Sequence, residues 1–297
     1  MYKVAFILHG KSLRKKRFYK QLQQARQELR NIEFNVVETS QQGHATSLAS
    51  EFITDGFTHI IAVGGDGTLH EAINGIIKNY TSEVVLGLLP FGTANDFIKS
   101  LSTPTNLADL FEAISKDKHQ LLDIGKIEHE GGVKYFLNIA DIGIGAEVVK
   151  RVNSSSKWFG SNFTFFTAII RTFFTYKNVS VNCKADDWEY EGKVNSIVAA
   201  NGKYFGSGLC IAPNADPSDG SFSVVISGDI SISDYLKNVN KIKKAQILDH
   251  PQVQYKTAKQ LELTSNETCG IEADGEYIGQ LPATISIDER KIKFLVM

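Results

Sequence analysis

Two acids sit in turns suited to managing phosphate charge. Asp66 lies inside IIAVGGDGTLHEAINGI, residues 60–76, among Gly64, Gly65 and Gly67. Asp96 lies in LGLLPFGTANDFIKSL, residues 86–101, just after Gly92, Thr93 and Asn95. Glycine removes the Cβ and permits positive φ, so a ligand can approach main-chain N–H groups at a helix N-terminus, where the macrodipole favours anions. An acid within such a phosphate cradle needs a counter-charge, and Mg²⁺ held on phosphate oxygens supplies one. An ordinary strand-to-helix turn with a capping acid explains either stretch taken alone. Two such turns, each with its acid, favour a nucleotide–Mg²⁺ site.

The elements that must position these turns follow from the flanking pattern. Ile60, Ile61, Ala62 and Val63 form an apolar run ended by Gly64, the mark of a strand covered on both faces. Leu69, Ala72, Ile73, Ile76 and Ile77 then recur at helical spacing, so the first turn joins a strand to a helix. VAFIL near the start, FNVV at 34–37 and VVLGLLP at 84–90 read as further strands. Phe18, Leu22, Ala25 and Leu29 make one helical stripe, and Ala45, Leu48, Ala49, Phe52 and Ile53 make another that ends near Gly56. A helix is also predicted from Ala94, with Ala94, Phe97, Ile98 and Leu101 on its apolar face and Asp96 in its first turn. This alternation predicts a three-layer α/β domain over residues 1–122, its parallel sheet flanked by helices, with the two turns side by side at the carboxyl edge.

After LLDIG at 121–125 the texture changes. VSVNC, WEYEG, NSIVAA, SFSVVIS, QLELTS and ATISI are short and β-rich with turn residues between them, which predicts a largely antiparallel β-sandwich over 123–297. The last strand, KIKFLVM, is able to pair with either domain.

Composition narrows the class. The 297 residues, 42% hydrophobic with a formal net charge of -1, describe a soluble globular protein and give no support to nucleic-acid binding. Cys183, Cys210 and Cys269 are few, odd in number and far apart, which fits a reducing cytoplasm and offers neither a disulfide framework nor a CxxC metal site. VAFIL is only a strand's length and precedes a charged stretch, so no signal peptide is expected. FTFFTAIIRTFF at 163–174 is interrupted by Arg171 and too short to span a bilayer, and reads as a buried or half-buried helix. The seven histidines lack ligand spacing, and DIGIGA lacks a Rossmann context, so neither zinc nor a dinucleotide is assigned. The run Lys11, Arg14, Lys15, Lys16, Arg17 and Lys20 reads either as a solvated helix face or as a patch that steers ATP or docks on anionic lipid.

GGDGTLHEAINGI followed by PFGTANDFIKSL resembles the catalytic domain of the diacylglycerol kinase family, which includes bacterial lipid kinases and is related to sphingosine kinases and, more distantly, NAD kinases. The resemblance continues through LLDIGKI, NIADIGIGAEVV, NGKYFGSGLCIAPNADPSDGSFSVV and EADGEYIG, and so spans nearly the whole chain. It implies an ATP- and Mg²⁺-dependent lipid kinase acting on diacylglycerol or a similar lipid, with its active site in an interdomain cleft. It further implies a cytoplasmic enzyme, peripherally associated with anionic membrane and homodimeric.

Carried onto this sequence, the resemblance implies that Gly64, Gly65 and Gly67 cradle phosphates, with Thr68 and Thr93 binding them and Asn95 holding the second turn. Asp66 and Asp96 organise Mg²⁺ and the transferred group, and Glu276 accepts the proton of the substrate hydroxyl, although Asp66 is an alternative base. Asp216 and Asp219, in PNADPSDGSF, hold a structural Mg²⁺, and Asp123 joins a carboxylate and water network. Read from the residues alone, Glu276 is a carboxylate in an Asp-Gly hairpin, and Asp216 and Asp219 belong to a plain turn. Lys11 and Thr39 are placed near the nucleotide. One departure stands out: the first strand ends in LHGKSLRKK, without the family's Asn-Pro. Two other readings remain, an NAD kinase-like enzyme with a soluble substrate and a non-catalytic lipid- or nucleotide-binding module. Against the first, the only Asn-Glu pair is Asn266–Glu267, far from the first turn.

Overall fold

The computed structural model describes residues 2–25, 32–92, 94–154 and 161–297, with backbone alone for 153–154 and 161–166. The chain divides into two compact units, Met1–Leu122 with Arg290–Met297, and Asp123–Glu289.

The first unit is built from β1 (Tyr2–Leu8), α1 (Lys15–Ala25), β2 (Ile32–Glu38), α2 (His44–Thr54), β3 (His59–Gly64), α3 (Asp66–Ile76), β4 (Val85–Pro90) and α4 (Leu107–Ser115). The sheet is parallel in the order β2, β1, β3, β4, and β3 is buried along its whole length, as its apolar run requires. Alternation sorts the side chains: Val4, Phe6, Leu8, Ile61 and Val63 pack with Phe18 and Leu22 of α1 and Leu110 and Ile114 of α4. On the other side α2 and α3 lie so close that a Cβ on Gly75 would strike the Thr46 carbonyl. Three layers result. Leu29, the end of the first helical stripe, lies outside the described residues.

The second unit contains β5 (His119–His129, from Asp123 onward), β6 (Gly132–Phe136), β7 (Ile139–Gly143), α5 (Ile144–Ser154), α6 (Ser161–Thr175), β8 (Val179–Ala185), β9 (Glu189–Val194) and β10 (Ser196–Ala200). It continues with β11 (Tyr204–Phe205), β12 (Leu209–Cys210), β13 (Phe222–Ser227), α7 (Ile232–Lys243), β14 (Val253–Ala258), β15 (Gln260–Thr264), β16 (Gly270–Ala273) and β17 (Glu276–Gln280). One antiparallel sheet runs β14, β13, β10, β7, β16, β17. Ala140, Ile142, Ile197, Val224 and Ile271 on its inner face share a core with Val181, Leu261, Leu263 and Ile285, the inner residues of the other layer. This is the antiparallel β-sandwich that the short strands predict.

β18 (Ala283–Leu295) is one strand where ATISI and KIKFLVM read as two. Its first part pairs with β15, and from Arg290 it belongs to the first unit, where Lys293 and Phe294 pair in parallel with Val85 and Leu86 of β4. The helix predicted from Ala94 is a single 3-10 turn, Phe97–Ser100. Asn95 holds φ 47, a left-handed conformation that a helix cannot contain, and Leu101 is extended, so only Phe97 of the expected face is fully buried. In α6, Ala168 and Thr172 are buried and Phe174 is exposed. No helix among the described residues is long and apolar enough to cross a membrane.

Candidate functional site

The loops at the carboxyl ends of β1, β3 and β4 are stitched together by main chain. The His9 N–H donates to the Val63 carbonyl at 3.0 Å, and the Phe91 and Gly92 N–H groups both donate to the Gly64 carbonyl, at 2.9 and 2.7 Å. Gly10 donates its N–H to the Thr39 hydroxyl at 3.1 Å, which seats Thr39 beside the first loop. The sheet order leaves β2 and β3 on opposite sides of β1, so these loops surround a topological switch point, where open α/β sheets take ligands.

Asp66 opens α3, an eleven-residue helix, and its side chain reaches across to the second turn. One carboxylate oxygen accepts the Asp96 N–H at 3.0 Å and the other accepts the Phe97 N–H at 3.1 Å. The acid of the first turn thus caps the 3-10 turn that carries the acid of the second. Asp96 is buried and ion-paired with Lys99 at 2.5 Å. Asn95 donates to the Gly92 carbonyl at 3.2 Å, while its own amide oxygen has no partner among the described residues. The glycines are needed for closeness: a Cβ on Gly92 would collide with the Cα of Gly65, and one on Gly64 with the Thr68 hydroxyl. Thr68 is accordingly buried behind Gly64, its N–H bonded to the Gly65 carbonyl at 3.0 Å. Gly67 is the second residue of α3. Thr93 lies outside the described residues.

In the basic run, Lys11 is exposed, and Lys15 turns back to Glu38 at 2.9 Å and to the Gly10 carbonyl at 3.3 Å. Tyr19 adds a bond to the other oxygen of Glu38 at 3.0 Å. These two hydrogen bonds hold the Glu38 carboxyl below its usual range.

In the second unit Glu276 begins β17, directly after a turn in which Asp274 (φ 51) and Gly275 (φ 84) are both left-handed, the geometry of a tight hairpin. Asp274 is not a bystander. Its carboxylate accepts the N–H groups of Leu137, Asn138 and Ile139 at 3.0–3.1 Å, fastening the hairpin to the start of β7. Asp216 and Asp219 each close their own small loop, Asp216 on the N–H and hydroxyl of Ser218 and Asp219 on those of Ser221. Asp123 is fully buried and accepts the Gly220 N–H at 2.7 Å, tying that turn to β5. Among the described residues no three His, Cys, Asp or Glu side chains gather as a metal cluster.

Sequence reasoning passed over two buried acids. Asp141 of β7 and Glu272 of β16 stand directly opposite each other, 1% and 4% exposed. Burial pushes Asp141 up to about 7, against the Ser196 hydroxyl and the Gly145 N–H that favour its charged form. Burial, and then the neighbouring Asp141, push Glu272 well above the usual carboxylate range. The alternation in IADIG does place Asp141 between two core residues and thus on the opposite face. Nothing local announces that α5 covers that face.

Comparison with known proteins supplies the family. Residues 3–127 match the diacylglycerol kinase catalytic domain, and residues 138–296, more than half of the chain, match the YegS C-terminal NAD kinase beta sandwich-like domain. A diacylglycerol kinase of Staphylococcus carnosus is 27% identical over 285 residues, covering 95% of this chain and 92% of the relative. One from Staphylococcus aureus (strain MRSA252) is 27% identical over 294 residues, covering 98% and 92%. A crystal structure of a candidate diacylglycerol kinase from Bacillus anthracis superposes with a TM-score of 0.80 at 24% identity, over 99% of this chain and 97% of that one. That last likeness speaks for the fold.

Proposed function

The chain belongs to the diacylglycerol kinase family of lipid kinases, and on that premise we propose its reaction: Mg²⁺-dependent transfer of the γ-phosphoryl group of ATP to a hydroxyl of diacylglycerol or a similar lipid. The observation that carries the proposal is the Asp66 carboxylate holding the two glycine turns together through the Asp96 and Phe97 N–H groups.

The residues present suit a nucleotide. Gly65 and Gly92 meet where any Cβ would fill the space, and α3 opens there with its first-turn N–H groups pointing out of the helix. Asp66 and Asp96 offer hard oxygen donors, the kind Mg²⁺ requires, and a carboxylate that accepts two N–H groups retains lone pairs for a metal. Gly64, Gly65, Gly67 and Thr93 would bind phosphate, with Asn95 holding the second turn and Thr39 and Lys11 on the neighbouring loops. Mg²⁺, when bound, supplies neutralisation of phosphate charge.

Phosphoryl transfer asks the protein chiefly for alignment and electrostatics. The lipid hydroxyl oxygen forms its bond to the γ-phosphorus as the bond from that phosphorus to the β–γ bridging oxygen breaks, and ADP leaves. The two N–H groups that Asp66 accepts stabilise its charged form and make it a weak base, so Glu276 is assigned the hydroxyl proton. The acceptor resides in a bilayer, and Lys11, Arg14, Lys16, Arg17 and Lys20, all exposed, would attract the enzyme to an anionic surface.

The test is transfer of labelled γ-phosphate from ATP to diacylglycerol in anionic mixed micelles, beside parallel reactions offering sphingosine and NAD. Labelled phosphatidic acid that requires Mg²⁺ supports the proposal. Label in NADP, or in no acceptor despite ATP binding, overturns it.

A further inference from the structure

The buried pair Asp141 and Glu272 has no role in the chemistry above, yet it occupies an expensive position. The two residues are register partners on adjacent antiparallel strands, so their side chains leave the same face of the sheet, away from the sandwich core and beneath α5. On the far side of Asp141 the partner is Val198, which offers no charge. Asp141 accepts the Ser196 hydroxyl at 2.7 Å and the Gly145 N–H, and a Cβ on Gly145 would collide with its carboxylate. The surrounding titratable groups are Tyr176 and Cys269 near Asp141, and Asp274 and Glu276 on the hairpin that Glu272 leads into. From α5 come Glu147 and Lys150, bonded to one another at 2.7 Å. Among the described residues neither buried acid has a cationic partner. Two carboxyl groups side by side, out of water and without a cation, cannot both ionise.

Glu272 has one further bond. Its Oε2 accepts the Gly275 N–H at 2.9 Å, and Gly275 is the residue from which Glu276 departs. Asp274 fixes the same turn from its other side through three main-chain N–H groups. The direction of Glu276 is therefore set by Glu272 and Asp274 together.

We infer that Asp141 and Glu272 share a single proton and that Glu272, kept in place by this pairing, is a positioning residue that aims Glu276 through the Gly275 amide. This rests on the role assigned to Glu276 above. The shared proton allows two acids to be buried together as one negative charge; it bonds the carboxyl groups to each other and leaves Glu272 an oxygen for the turn. If both were ionised their repulsion would drive Glu272 off Gly275. If Glu272 were apolar, the Gly275 N–H would lose its acceptor and the turn its second tether.

The experiment compares Glu272→Gln and Glu272→Leu with wild type, and adds Asp141→Asn combined with Glu272→Gln. Hydrogen exchange at Gly275 should be slow in wild type and in Glu272→Gln, which keeps an acceptor oxygen, and fast in Glu272→Leu. With diacylglycerol as acceptor, kcat should fall about ten- to a hundredfold in Glu272→Leu while KM for ATP holds, and Glu272→Gln should recover most of it. At pH 7 the infrared band of a protonated carboxylic acid should be present in wild type and absent from the doubly neutral variant. Unchanged exchange at Gly275 in Glu272→Leu, or wild type without the acid band, overturns the inference. Both of these readouts operate without turnover, so a protein that transfers no phosphate refutes the proposed reaction and leaves the shared proton and the Gly275 tether to be judged on their own.

Discussion

Removing the Asp66 side chain should unseat the second turn as well as impair chemistry. In Asp66→Ala two main-chain N–H groups, on residues 4% and 1% exposed, lose acceptors at 3.0 and 3.1 Å. A hydrogen bond to a charged group contributes about 1.5–3 kcal/mol, and burial leaves little water to replace the carboxylate. The two together predict a loss of about 3–5 kcal/mol, partly recovered if water enters. For a unit of this size each kcal/mol lowers Tm by about 4 °C, so calorimetry should show the first unit melting about 10 °C or more below wild type. Asp66→Asn keeps one acceptor oxygen and turns an N–H₂ toward the other donor, and should lose about 2 kcal/mol. A melting temperature for Asp66→Ala within about 2 °C of wild type would refute the bracing role. The consequence for kinetics is practical: the contribution of Asp66 to catalysis is readable only from Asp66→Asn, assayed well below its melting temperature.

The remaining predictions concern other parts of the same framework. Asp141 has its affinity for protons raised by folding, from 3.8 to about 7, so the native state binds more protons than the unfolded chain between those values. Its contribution is full below pH 4 and is lost as pH rises through about 7; Asp141→Asn should remove roughly 4 kcal/mol of the decline in stability between pH 4 and 8, measured by urea unfolding, and leave the part contributed by Glu272, which burial also raises. Gly92→Ala drives a Cβ into the Gly65 backbone and should cost about 1–3 kcal/mol and abolish stabilisation by ATP in thermal unfolding. Glu71 accepts the Gly43 and Ala45 N–H groups at 2.8 and 3.0 Å, capping α2 from α3. Glu71→Ala should lower stability by about 1–2 kcal/mol in denaturant titration, without a change in m.

Much of this was legible because burial in an α/β sheet writes itself into apolar periodicity. β3, with every residue buried, and the stripe from Leu69 to Ile77 located the first turn, and parallel pairing of β3 with β4 put the second beside it. Periodicity failed where one backbone angle decides the outcome: Ala94, Phe97, Ile98 and Leu101 have helical spacing, but a left-handed Asn95 precludes the helix. It failed again where a polar segment stays extended, as in Asp288, Glu289 and Arg290, which separate ATISI from KIKFLVM in the sequence and lie in mid-strand of β18. The helix α7 is mostly polar, so apolar periodicity does not reveal it, although Ser231 and Asp234 spell its capping box. The capping role of Asp66 and the pairing of Asp141 with Glu272 depend on contacts between residues thirty or more positions apart, which no local pattern encodes.

The central claim is that a lipid hydroxyl receives the γ-phosphoryl group. Phosphorus NMR of a single reaction containing the protein, ATP, Mg²⁺ and diacylglycerol in anionic mixed micelles tests it most directly, because acceptor, donor and water compete in one tube. Phosphatidic acid appearing mole for mole with ADP is the predicted result. ADP appearing with inorganic phosphate, or ATP persisting unchanged, would contradict the account.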